Sequence, residues 1–166
     1  MPRGWLRREP RPPVPAAPSA ADEVAALRAS LRATVQRVNR AADRLPVGVV
    51  PQVRAIEDAL RELLDHLAAT AGSATSAQER YTLAATVTDY LPTSVDTYLA
   101  LPPTFADTHR TPAGLTAGDE LLEQLVLLEG AVRDLALAVY SGDAQRLSTQ
   151  GRFLASRFAT SELDLP

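Results

Sequence analysis

The sequence contains no cysteine and no lysine, few aromatic residues and no long apolar run. The absence of cysteine excludes disulfides, thiolate zinc sites and cysteine nucleophiles, and is consistent with a reducing compartment. All 17 basic residues are arginine, which with many alanines and prolines indicates the codon bias of a GC-rich genome rather than selection for phosphate recognition. Aromatic residues form 5% of the chain, which favours helix packing over a β-sandwich or a base-stacking surface.

The formal net charge of −3 is unevenly distributed. Residues 1–19 hold four arginines and one glutamate, so the rest of the chain is acidic. An acidic body argues against nucleic-acid binding, which normally uses a basic face. No run of about 18 apolar residues is present, so we expect no transmembrane segment. The N-terminal arginines are not followed by an apolar core of about 7 to 15 residues, so we predict no secretory signal and a cytoplasmic protein.

The distribution of proline divides the chain into three parts. Residues 1–19 contain six prolines, which fix φ and remove backbone donors, so we predict a disordered tail. This basic tail, with Trp5, could make weak contact with an anionic membrane surface. Residues 20–160 are predicted to form one helical domain, and residues 161–166 a C-terminal tail.

Start signals and apolar spacing predict the first two helices. Ser19, with Asp22 three residues later, is a capping pair for a helix that extends to about Leu45. The second helix has Pro51 in its first turn, where a missing N–H costs little. Apolar residues recur three or four apart in both helices: Val24, Leu27, Leu31, Val35, Val38, Ala42 and Leu45, then Val53, Ile56, Leu60, Leu63 and Leu67.

The third helix begins at the capping box Ser76–Glu79. Pro92 disfavours α conformation at Leu91 and removes an amide, so we expect a break or a sharp kink there. Thr93 with Asp96 could then cap a short new helix that ends at Pro102-Pro103. Residues 102–115 have no periodicity and are predicted to be a loop.

The fourth helix has the most regular pattern, which begins after the capping pair Thr116 and Asp119. Ser141-Gly142-Asp143 is predicted to end it and to start an antiparallel fifth helix. Leu122, Val126 and Leu137 widen the apolar face, which predicts contacts with two or more neighbouring helices. The apolar positions are Leu121, Leu125, Leu128, Val132, Leu135 and Val139, then Leu147, Gly151, Leu154 and Phe158. The fold class is therefore all-α, an antiparallel bundle of about five helices, one broken at Pro92.

One segment brings together groups that could bind a ligand. Asp107, His109 and Arg110 supply a carboxylate, an imidazole and a guanidinium, which could bind a phosphate or carboxylate or act as acid and base. The other histidine, His66, has no second histidine four residues away, so we predict no metal site and no cofactor.

The segment Tyr90-Leu91-Pro92-Thr93-Ser94, followed by Leu99, resembles the Tyr-Leu-Pro-Thr-Thr segment of the XpaC-like family, named for 5-bromo-4-chloroindolyl phosphate hydrolysis. The order of helices over residues 45–160, with the Gly142-Asp143 turn, is similar too. Asp89 departs from the family, which commonly has a second tyrosine before Tyr-Leu. The resemblance implies a phosphatase phenotype and a context in toxic-anion resistance, and it supplies no catalytic residues to transfer.

The sequence therefore favours a non-enzymatic helical interaction or scaffold protein, in bacterial stress or toxic-anion resistance, with a protein partner or a second copy. We predict a docking edge at Tyr90, Leu91, Pro92 and Tyr98. Two alternatives stay open: a phosphoester hydrolase or its accessory, which could use Asp107, His109 and Arg110, and a peripheral membrane protein that binds through residues 1–19.

Overall fold

The computed structural model describes residues 19–70 and 75–161. All regular secondary structure in these two ranges is helical, as the sequence predicts, and five helices pack together when the two segments joined by a π-helical turn are counted as one. Residues 1–18 of the predicted tail, part of the loop after the second helix, and residues 162–166 lie outside the described residues. The elements are α1 (Ala20–Arg40), α2 (Val49–Ala69), α3 (Ala77–Ala85), a π-helical turn (Thr86–Tyr90), α4 (Leu91–Leu99), α5 (Pro103–Thr108) and α6 (Ala117–Ser161).

Capping boxes start α1 and α3 where the sequence predicts them, and the predicted pair Thr116 and Asp119 likewise caps α6. The amide of Asp22 donates to Ser19 Oγ at 3.2 Å, and the Asp22 carboxylate accepts from the Ser19 amide at 3.1 Å. Ser76 and Glu79 make the same reciprocal pair at the start of α3. Each box satisfies two amides that have no partner inside the helix, which explains why both predictions are confirmed.

The first helix ends earlier than predicted, at Arg40 and not at Leu45. A 3₁₀ turn, Ala42–Arg44, follows it, and Leu45 is extended with φ −95° and ψ 145°. Extended backbone is favoured at Leu45 because Pro46 follows it. Pro51 lies in the first turn of α2, as predicted, after Gly48 with φ 98°.

The chain stays helical through Pro92. The Leu91 amide donates to the Thr86 carbonyl five residues back, and Leu91 has φ −64° and ψ −51°. The expected interruption is therefore a π-helical turn and not a gap between two helices. A π turn holds one extra residue, which shifts the carbonyls that a proline ring would otherwise meet. Leu91 and Val95 are fully buried, so core packing holds both sides of this turn in one helix.

The predicted helix start after Pro92 is wrong. Thr93 Oγ1 donates to Asp89 Oδ1 at 3.0 Å, and Asp96 forms an ion pair with Arg37 of α1. Thr93 and Asp96 make these contacts on the surface of a continuous helix, so neither residue caps a new helix.

Residues 102–115 are more ordered than the sequence predicts. Pro103 begins the short helix α5, where its fixed φ suits the first helical position. Beyond α5, Arg110 and Thr116 form an isolated antiparallel bridge that closes a turn with Gly114 at φ 83°. Local hydrogen bonds supply the order that hydrophobic periodicity does not reveal.

The predicted turn at Ser141–Asp143 is absent. The helix α6 has 45 residues, is about 68 Å long and continues through these positions. Asp143 Oδ2 lies 2.6 Å from His66 Nε2 of α2, and Val139 is buried one turn earlier. A glycine inside a helix costs about 1 kcal/mol relative to alanine, which these tertiary contacts offset. The antiparallel fifth helix of the sequence prediction is the C-terminal part of α6.

The long helices alternate in direction along the chain, yet α2 and α6 are neighbours that run the same way. Gln52 of α2 bonds to Glu129 of α6, and His66 contacts Asp143 further along both helices. Against α1, α2 is antiparallel, because Arg28 pairs with Asp65 near the start of α1. The core between the helices is aliphatic; its largest fully buried members include Ile56, Leu60, Leu63, Leu64, Leu83, Leu91 and Leu125.

No helix in the described part of the chain is both long enough and apolar enough to cross a membrane.

Candidate functional site

The three predicted ligand-binding side chains do not converge. Asp107 lies on α5 and lines a cavity at one end of the bundle. The His109 ring stacks on Phe105 with 4.5 Å between ring centroids. Arg110 Nη1 donates to the Gly114 carbonyl at 2.7 Å, which closes its own turn. Asp107 is part of the short helix α5 and the other two residues follow it, a feature that the sequence analysis did not predict.

The predicted docking edge is divided between core and surface. Leu91 is fully buried, and Tyr98 is only 9% exposed. Tyr90 is half-exposed, and Pro92 is half-buried. Two of the four residues therefore belong to the core of the bundle, and only Tyr90 presents a large accessible side chain.

The cavity beside α5 brings together two residues that the sequence predicts at separate sites. Tyr98 of the docking edge and Asp107 of the ligand loop both line it, together with Arg44 from the 3₁₀ turn. Burial raises the pKa of the Tyr98 hydroxyl, and the negative charge of Asp107 adds to this increase, whereas Arg44 opposes it. The hydroxyl is therefore protonated at neutral pH.

Within residues 19–70 and 75–161, no three His, Asp or Glu side chains are grouped so that they could hold a metal ion. His66 instead joins α2 to α6, with its ring edge-on to Tyr140 at 4.9 Å and its Nε2 against Asp143. This histidine holds the two parallel helices together where α6 begins to leave the bundle.

A second, exposed stripe on α6 is the largest feature that sequence reasoning missed. Val126, Leu137 and Leu147 are 52%, 65% and 73% exposed. Together with the residues at the intervening positions, they follow steps of four and three residues, which place them along one side of a helix, as in helices that pair with one another. We call this set the outer stripe: Val126, Gly130, Arg133, Leu137, Tyr140, Ala144, Leu147 and Gly151.

Every member of the outer stripe is exposed except Tyr140, which is half-buried. The sequence prediction assigned Val126 and Leu137 to a widened core face, because spacing alone does not show which side of a helix is covered. In the structure the neighbours of α6 cover the face around Leu125 and Val132, and the outer stripe lies beside it. The spacing of four and three residues along the sequence was the signal that could have revealed the outer stripe.

Beyond Asp143, α6 projects from the bundle. All residues from 144 to 152 are exposed, including Leu147. We call residues 144–161, which begin with this exposed segment, the projecting part; their sequence contains three arginines and no acidic residue, whereas residues 117–143 contain six acidic residues and one arginine. The two parts of this helix therefore carry opposite charge.

No protein-family model, curated protein or solved structure matches the chain. The resemblance to the XpaC-like family stays a prediction from the sequence, and the Gly142-Asp143 turn that was part of it is helical.

Proposed function

We propose that this chain is a helical interaction protein whose partner is a second copy of itself, bound along the outer stripe of α6. The observation that carries the proposal is the exposed stripe that extends from the bundle into the projecting part of the helix. Residues 144–152 of α6 have no packing partner in the bundle, and most helical stability in proteins comes from packing an apolar face. A second helix laid along the stripe supplies that packing.

Charge supports a second copy as the partner and an antiparallel arrangement. In an antiparallel pair, the arginine-rich projecting part of each α6 lies along the acidic part of the other, which is favourable for both. In a parallel pair, like charges would face each other over the whole length. A two-fold interface of this kind is self-complementary, as a homodimer requires.

The positions of the large residues fit the same arrangement. Val126 and Leu147 lie eleven residues before and ten residues after Leu137. An axis near Leu137 thus places Val126 of one copy beside the partner's Leu147. Gly130 and Ala144 lie between them, and small side chains allow the two helices to approach closely.

Sedimentation equilibrium tests the proposal through a single substitution. We expect the wild-type protein to dimerise, and Leu137→Glu to weaken dimerisation at least tenfold, because it removes a buried leucine from each copy and places two like charges near the axis (about 1.5 to 3 kcal/mol for each leucine). The matched control is Tyr81→Glu, which adds the same charge at an exposed aromatic residue of α3. A monomeric wild type, or equal effects of the two substitutions, would contradict the proposal.

We propose no second function. Phosphoester hydrolysis would use Asp107, His109 and Arg110, and the structure directs these side chains to three different environments. Membrane attachment would use residues 1–19, which lie almost entirely outside the described residues.

A further inference from the structure

A cavity of about 370 Å³ lies at the end of the bundle where α6 begins. Three separate segments form it: the connector between α1 and α2, the end of α4 with α5, and the first turns of α6. Its volume lies within the usual range for small-molecule sites, about 300 to 1,000 Å³. The cavity does not touch the outer stripe, so it raises a separate question about function.

The polar groups of this cavity are mostly acidic. Asp43, Asp107 and Asp119 line it, with Arg44 as the cation. Arg44 Nη2 donates to the Leu99 carbonyl at 2.7 Å, and Asp119 accepts from the amide and hydroxyl of Thr116 at the start of α6. Those two side chains are therefore committed to local structure.

Asp43 and Asp107 have no hydrogen bond or ion pair to any residue of the described ranges. The cavity thus has two carboxylates available for a ligand, and its charge favours a cation.

The buried tyrosine supplies the observation that an acidic cluster alone would lack. Tyr98 is 91% buried, it lines the cavity, and among the described residues its hydroxyl has no hydrogen-bond partner. The hydroxyl oxygen retains accessible surface although most of the residue is packed, so it can reach a ligand in the cavity. A ligand in this cavity would complete its hydrogen bonding.

The shape and lining of the cavity distinguish an organic cation from a metal ion. In the described part of the chain no three carboxylates or histidines are close enough to hold a metal. Leu45, Leu101 and Leu122 provide an apolar lining between the charged groups.

We propose that this cavity binds a protonated aliphatic amine with a short hydrocarbon chain. The ammonium group donates to the carboxylates of Asp107 and Asp43 and to the Tyr98 hydroxyl oxygen, and the hydrocarbon packs on the leucines. An ammonium has three donors, which these three acceptors match.

Isothermal titration calorimetry with spermidine as the probe tests this proposal. We expect binding of one molecule per chain, at least about tenfold weaker in Asp107→Asn and about three- to tenfold weaker in Tyr98→Phe, because each change removes an acceptor for a charged donor. Neither variant removes an existing hydrogen bond of the fold, and thermal denaturation checks that both remain folded. The matched control, Asp58→Asn, removes an exposed carboxylate of α2 and should leave binding unchanged.

Four results would overturn the proposal. The first is the absence of binding. The second is equal weakening in Asp107→Asn and Asp58→Asn, which would show attraction to the acidic surface in general. The third is displacement of spermidine by equimolar Mg²⁺, which would show that charge alone is recognised. The fourth comes from a titration with 1,8-octanediol, which has no ammonium group. If this diol bound as tightly as spermidine, the ammonium groups would not be recognised and the proposal would be contradicted.

Discussion

At the residue scale, the start of α6 depends on a glycine that has no room for a side chain. Gly118 is buried, and a Cβ atom built on it would lie 2.7 Å from Pro46 Cγ in the connector between α1 and α2. Both partners are stiff, since one is helical backbone and the other a proline ring. Gly118 therefore sets how closely α6 approaches the connector, and with it the shape of the cavity.

We predict that Gly118→Ala destabilises the protein by about 1 to 3 kcal/mol, because overpacking forces a shift of α6 or of Pro46. Urea denaturation at a fixed protein concentration measures the free energy of unfolding. The control is Gly142→Ala, since a Cβ there meets no atom within 4 Å and this glycine is not part of the outer stripe. Equal free energies of unfolding for the two variants would show that the close approach does not matter.

At the element scale, predictions succeeded where the determining contacts are local. The capping boxes at Ser19 and Ser76 need only four consecutive residues, and both are present. The predictions at Pro92 and Gly142 failed in detail because burial of Leu91 and the contact between His66 and Asp143 act across the fold. Glycine and proline raise the free energy of a helix locally, but tertiary packing can offset that cost, and then the helix continues.

Because α6 is continuous through Gly142, we expect replacement of this glycine by alanine to raise stability. The turn predicted from the sequence would instead make the same replacement destabilising. If Gly142 lies inside a helix, Gly142→Ala should stabilise the protein by about 0.5 to 1 kcal/mol, because alanine has the higher helix propensity and a Cβ there meets open space. Thermal denaturation followed by circular dichroism checks this. A loss of stability would indicate that Gly142 has the left-handed conformation of a helix end, as the predicted turn requires.

At the scale of the whole molecule, the all-α class could be predicted from apolar spacing, but the arrangement of the helices could not. Spacing does not reveal that α2 and α6 run side by side in the same direction, since this follows from contacts 77 residues apart. The same limit applies to the candidate sites. Asp107 and Tyr98 meet only because α5 folds back over the end of α4, and the outer stripe is recognisable only once the core side of α6 is known.

Antiparallel pairing of two α6 helices predicts which residues of the two copies lie close together. Because the chain has no cysteine, single introduced cysteines report on specific positions. In an antiparallel pair the two copies of residue 126 lie about 31 Å apart, whereas residue 126 of one copy lies beside residue 147 of the other.

The most direct test mixes Val126→Cys protein with Leu147→Cys protein, allows subunits to exchange, and treats the mixture with a short bis-maleimide. Both positions are exposed, so the substitutions leave the core intact. Antiparallel pairing predicts cross-linking between the two different variants and little cross-linking of either variant with itself. Efficient cross-linking of each variant alone would show parallel pairing, and the absence of cross-linking in the mixture would show that the outer stripe is not an interface between copies.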